Sequence, residues 1–198
     1  NATEHKEEIE GAVWFGINDT VASGALESKK VLYTGGIHYF ITGNAPAANI
    51  KNISSGILSK AVLDEQMEIY FRAGNPNRKT IFTSPFGKLV LTRLAEGKYE
   101  TTRSEKTLGI EITQLYILGY SVPVISSQLF VDFGITDRMY IVDMDYAKMR
   151  YLKGRGRTKV LSNIQENDRK SRKDAFHSIM GLELQNTQAH GLIKKFIG

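Results

Sequence analysis

Cysteine is absent from this 198-residue chain, which removes disulfides, thiol nucleophiles and cysteine-based zinc sites together. Histidine is scarce. The four residues, His5, His38, His177 and His190, include no His-x-x-x-His pair, so each reads as a partly exposed or core-satisfied ring rather than a metal ligand. There is no Gly-x-Ser-x-Gly elbow and no recognisable Ser/His/Asp set. No apolar run approaches the roughly 18 residues of a membrane-spanning helix. Lys153-Gly154-Arg155-Gly156-Arg157 holds a Gly-x-Gly core, but a third glycine and a following helix are missing, so a phosphate cradle is not supported. Asp143 and Asp145, bracketing Met144 at a strand end, are a carboxylate pair that could hold a divalent cation. A solvated turn after a buried strand is the simpler reading. These absences argue against an enzyme: no catalytic, cofactor-binding or metal residues are assigned.

What is present is an ordinary globular composition, 41% hydrophobic and 24% charged, in a chain long enough for one large domain or two small ones. The charge is unevenly spread. Between Tyr151 and Lys173 lie Lys153, Arg155, Arg157, Lys159, Arg169, Lys170, Arg172 and Lys173 against only Glu166 and Asp168. That segment carries +6 of a total of +5, so the remainder nets −1. Such a basic arm suits nucleic acid, with strongly salt-dependent binding, yet Tyr151 is its single aromatic and base stacking is not provided for. It equally suits acidic patches on identical neighbours, or a solvated loop. The first residue is Asn, and the helical reading begins at once, so the chain is expected to be a fragment of a longer protein.

Helical periodicity is clearest from Ile57 to Arg72, where Leu63, Met67, Tyr70 and Phe71 share a face and Ala73-Gly74-Asn75-Pro76 supplies the stop. A shorter helix is expected from Thr3 to Phe15. Another should run from Pro85 to Ala95, with Ser84 as N-cap. Ile17–Ser28 reads as a loop, Leu32–Ile41 as a turn followed by an undecided element, and Gly43–Ser55 as a linker. Strands are expected at Thr80–Thr83, around Ile110 and Ile112, through Leu115–Ile125 with Pro123 at an edge, at Met139–Val142, at Ala147–Leu152 and at Phe176–Leu184. Lys98–Leu108 reads as an exposed loop. Helices early and strands later predict an α+β fold.

Gly181-Leu182-Glu183-Leu184-Gln185-Asn186-Thr187-Gln188-Ala189-His190-Gly191-Leu192-Ile193 resembles the C-terminal signature of a family of tailed-bacteriophage major capsid proteins. Looser similarities follow in matching order. Glu8–Gly16 resembles the end of the family's spine helix, and Thr34-Gly35-Gly36-Ile37 its Thr-Gly-Gly segment. Ser55–Gly74 with Lys79–Thr83 resembles its central-lobe helix and strand, and Val142–Leu152 its strand pair. The resemblance implies the Hong Kong ninety-seven-like capsid fold, with a peripheral lobe, an axial lobe and a helix-flanked mixed or antiparallel sheet. It implies lobes at residues 1–55 (peripheral) and 56–138 (axial), with closing strands and the basic loop at 139–198. It implies a structural shell subunit of the virion that forms hexamers and pentamers of identical copies around packaged DNA. An encapsulin-like cargo shell and a basic nucleic-acid-binding module are the alternatives. The family's N-terminal arm and extended hairpin have no counterpart here, so this fragment should be monomeric or weakly associated. The eight basic residues are left facing either DNA or a sister subunit.

Overall fold

The computed structural model describes residues 2–22, 30–96, 114–152, 158–162, 164 and 174–197. In chain order the elements are α1 (Ala2–Phe15), β1 (Asp19–Ala22), β2 (Lys30–Tyr33), α2 (Ile37–Asn44), β3 (Ile50–Ile57), α3 (Lys60–Phe71), β4 (Lys79–Thr83) and α4 (Pro85–Glu96). There follow β5 (Gln114–Ile117), β6 (Tyr120–Ser126), α5 (Leu129–Asp132), β7 (Arg138–Asp143), β8 (Ala147–Tyr151), β9 (Thr158–Leu161), β10 (Ala175–Ser178), β11 (Met180–Leu184) and β12 (Gly191–Ile197). The chain divides into two compact units, residues 1–39 with 148–183, and residues 40–147 with 184–198.

The second unit is built on a mixed six-stranded sheet in the order β3-β12-β7-β4-β6-β5. β7 lies inside it, antiparallel to both β4 and β12, while β12 runs parallel to β3 and β4 parallel to β6. Alternation along the strands puts Met139 and Ile141, Ile193, Ile81, and Val122 and Val124 on one face. There they join Leu63, Met67 and Tyr70 of α3 and Val90 and Leu91 of α4 in a single core cluster. The opposite face of the inner strands is also closed. Tyr140, Val142 and Leu192 are fully buried, with the Phe130 ring 5.6 Å from that of Tyr140.

The local chemistry explains the helix ends. Ser59 caps α3, accepting from Val62 N at 3.4 Å, so the helix starts at Lys60, three residues later than periodicity suggested. Ser84 caps α4 as expected: its Oγ accepts from Gly87 N at 3.0 Å and donates to Thr136 O at 2.7 Å. Pro123 is not on an edge strand. β6 sits between β4 and β5, and Pro123 is tolerated because it is the last registered partner of Gln114 while the β4 ladder begins at Val124.

Other expectations fail in ways that share a cause. The linker proposed for Gly43–Ser55 contains β3, the loop proposed for Ile17–Ser28 contains β1, and β12 follows what read as a terminal turn. β3 (Ile-Lys-Asn-Ile-Ser-Ser-Gly-Ile) is an edge strand whose register with β12 shifts at Lys194/Phe196. A polar, interrupted pattern is what an edge tolerates. Phe176–Leu184 is two strands broken at Ile179, and part of the basic segment is strand β9. The strand expected around Ile110 and Ile112 and the Lys98–Leu108 loop lie outside the described residues.

The first unit has no such sheet. Its strands pair in twos: β1 with β2, β9 with β10, and β8 with β11. Because β10 and β11 are nearly continuous, and Leu152 N–H donates to Ile179 O, the last two pairs form successive segments of one antiparallel ribbon. α1 lies along it. The His5 ring stacks on Phe176 at 5.7 Å, and its Nε2 is 2.8 Å from Ser178 Oγ. Trp14, Ile37 and Leu182 are the large apolar side chains buried in this unit among the described residues.

Candidate functional site

Of the eight basic residues, seven (Lys153, Arg155, Arg157, Arg169, Lys170, Arg172 and Lys173) lie outside the described residues. Lys159 is on β9, exposed and paired in register with His177 of β10. The ribbon around it is exposed on both strands, and its exposed side chains include the apolar Val160, Leu161 and Phe176. A two-stranded ribbon of this kind is marginal in water, and its stability depends on what packs against it. α1 supplies one such contact.

The closing motif is a different kind of site. Asn186 turns the chain in the left-handed region (φ 47°), and Thr187–Ala189 forms a 3-10 turn. His190 then buries completely. Its Nδ1 accepts from Asp143 N at 3.1 Å, and its Nε2 lies 3.0 Å from Gln185 O. An acceptor at Nδ1 requires that nitrogen to be unprotonated, so the ring is neutral with its proton on Nε2. Burial also holds its pKa below the usual value, against the opposing pull of the Gln185 hydrogen bond. Asn49 Nδ2 donates to both Gln188 O and His190 O at 2.7 Å. A Cβ at Gly191 would overlap the Tyr70 ring, so any other residue here has to displace that ring.

Beside this turn, Lys79 and Asp143 are both fully buried. Lys79 Nζ donates to Ala189 O at 2.7 Å and lies 3.6 Å from Asp143 Oδ2. Burial lowers the Lys79 pKa while Asp143 raises it. The Asp143 carboxylate also accepts from Asn75 N (2.8 Å) and Asp145 N (3.1 Å). Asp143 and Asp145 therefore do not share a cation, and Asp143 is not a solvated turn residue. Its charge is met by an ammonium, and Asp145 points outward to Arg78 Nε at 3.0 Å. No group of three or more potential metal ligands occurs among the described residues. Sequence reasoning singled out His190 and Gly191 but missed Lys79 and Asn49. The available signal was a lysine opening the otherwise apolar and threonine-rich run Lys79-Thr80-Ile81-Phe82-Thr83.

A shallow apolar cleft of about 200 Å³ lies between α1 and the ribbon, lined by Ile9, Ala12 and Val13 on one side and Met149, Met180 and Leu182 on the other. Its rim carries His5, whose ring already engages Phe176 and Ser178. The ionisable groups among the described lining residues are His5 and Glu8, one turn apart on α1 with His5 Nδ1 3.6 Å from Glu8 Oε2, and the Glu8 side chain is exposed to solvent.

This mixed α+β fold matches that of viral and bacterial shell proteins, Hong Kong ninety-seven-like. The chain is similar to the shell protein in the structure "CryoEM structure of the holo-SrpI encapsulin complex from Synechococcus elongatus PCC 7942", with a TM-score of 0.59 and 12% identity. That match covers 98% of this chain and 62% of the other. It is also similar to a chain of "Satellite phage P4 procapsid including size determination (Sid) protein", with a TM-score of 0.58 and 14% identity, over 98% of this chain and 61% of the other. The chain thus spans about three fifths of the length of these neighbours. No curated protein matches the sequence. The family model described as SU10 major capsid protein matches residues 1–196, and the chain belongs to that family.

Proposed function

We propose that this chain is the folded body of a structural shell subunit, a major capsid protein that assembles by symmetry into a virion head and performs no catalysis. The family match over residues 1–196 carries this reading. The physical picture supports it. A shell subunit needs a stable body and several modest edges repeated by symmetry, and it needs no pocket. Residues 40–147 with 184–198 correspond in this reading to the axial lobe, and residues 1–39 with 148–183 to the peripheral lobe carrying the end of the spine helix.

Identical copies in hexamers and pentamers are the main partners. The exposed β9–β10 ribbon, with Lys159 and the flanking basic residues from Lys153 to Lys173, is the contact element, facing a sister subunit or the packaged DNA. The full-length polypeptide that contains this chain, expressed alone or with its scaffold, gives closed shells or tubes by electron microscopy; persistent monomers under all assembly conditions would refute the reading. The 198-residue chain alone stays monomeric or weakly associated by light scattering at micromolar concentration.

Two observations favour narrower alternatives. The encapsulin neighbour points to a shell around a protein cargo, which predicts purified particles that hold protein and no DNA. The +6 segment points to nucleic-acid binding. Replacing Arg155, Arg157, Arg169 and Arg172 together with Ala then weakens DNA binding and flattens its salt dependence. If neither changes, DNA contact by this segment is excluded.

A further inference from the structure

The closing turn places three titratable side chains in one dry cluster: Lys79 on β4, Asp143 on β7 and His190 ahead of β12, all fully buried. Asn49 and Tyr70 reach the same turn from the 3-10 turn before β3 and from α3. Asn49 carries no charge, and burial raises the Tyr70 pKa well above its usual value, so it stays neutral. The charged neighbours of the His190 ring on the packed elements are therefore Lys79 and Asp143, a cation and an anion already committed to each other. The ring is also committed. One nitrogen is the acceptor for the Asp143 backbone N–H, and the other faces Gln185 O.

We propose that His190 is an acid-sensitive latch on the C-terminal strand: protonation at Nδ1 unseats β12 from its place between β3 and β7. The geometry makes the two states exclusive. A proton on Nδ1 removes the acceptor of the Asp143 N–H and leaves two donors facing each other. It also sets a second cation near Lys79 with Asp143 as the single carboxylate of the cluster, all three side chains being fully buried. The strand affected is structurally central. β12 supplies Leu192, Ile193 and Phe196 to the core and bridges β3 to the rest of the sheet.

The sign follows from linkage. The folded-state pKa of His190 is lowered, so between it and the unfolded value near 6.5 the open state holds one more proton. The contribution is complete above that pH and is lost as pH falls. Opening of the segment rises by up to about tenfold per pH unit below ~6.5. This inference concerns the unit's own folding and stands whether or not the chain forms a shell.

The test is hydrogen exchange on the 198-residue chain between pH 7.5 and 5.5, converted to protection factors so that intrinsic exchange chemistry is removed. Protection of the β12 and β3 amides falls below pH 6.5 at close to one order of magnitude per unit, while amides of β5 in the same sheet fall less. His190→Asn, which keeps an acceptor near the Nδ1 position and cannot titrate, flattens that slope even if it lowers overall protection. NMR of the wild-type ring, which needs no variant, shows neutral His190 with its proton on Nε2 at pH 7.5. A pH-independent β12, an unchanged slope in His190→Asn, or a ring protonated on Nδ1 at pH 7.5 would each overturn the proposal.

Discussion

The two units solve the stability problem differently. Residues 40–147 with 184–198 hold the whole of the main core cluster, sixteen buried residues drawn from α3, α4 and all six strands or their immediate flanks. Residues 1–39 with 148–183 offer Trp14, Ile37 and Leu182 as buried large apolar side chains among those described, and their strands pair only in twos. One unit is a body stabilised by its own interior. The other is a helix on a ribbon that leaves Val160, Leu161 and Phe176 in contact with solvent. On the proposed reading as a shell subunit, neighbouring copies would supply to the ribbon what the sheet already has from its core.

The contrast can be broken most severely at the buried pair. Lys79→Met leaves the Asp143 carboxylate without its cation in a dry site, and should destabilise the sheet unit by about 3–5 kcal/mol. Chemical denaturation of the double variant with Asp143→Leu should recover part of that loss. Next comes Ile193→Ala, which opens the core beneath β12 and should cost about 3 kcal/mol. Leu182→Ala in the ribbon unit, beside an existing cleft, should cost about half as much. Trp14 is the only tryptophan in the chain and lies in the ribbon unit. Its fluorescence should therefore shift in Leu182→Ala and hold in Ile193→Ala, while far-UV circular dichroism follows the sheet. Gly191→Ala forces the Tyr70 ring to move and should cost about 1–3 kcal/mol, read from the same dichroism transition. At the small end, Arg150→Ala removes the exposed Arg150–Glu183 ion pair and should leave both transitions unmoved.

Much of this was legible in the sequence because the sheet unit announces itself through ordinary periodicity. α3, α4 and the Ser84 cap of α4 could be read directly, and so could β4 and β7, whose side chains are mostly buried. The α+β class and the family followed. The ribbon unit was less legible, because paired strands without a core need not alternate. β1 and β9 carry no apolar stripe, and β9 lies inside a charge run that reads as a loop. β12 was hidden by its bulge at Lys195 (φ 59°) and by the lysine pair Lys194-Lys195 in the middle of the strand. The Asp143/Asp145 pair misled because a carboxylate's partner can come from far along the chain. Lys79 is 64 residues away and no spacing rule connects them. The closing motif was noticed as a turn, but its role as the lid over a buried ion pair needed coordinates.

Hydrogen exchange of the subunit, free and in assembled particles, tests the account most directly. The account predicts that β9 and β10 exchange quickly in the free chain and gain at least tenfold protection in the shell, while β4 and β7 are equally protected in both. Ribbon amides that stay equally exposed in particles, or β4 and β7 amides that become protected only on assembly, would contradict it.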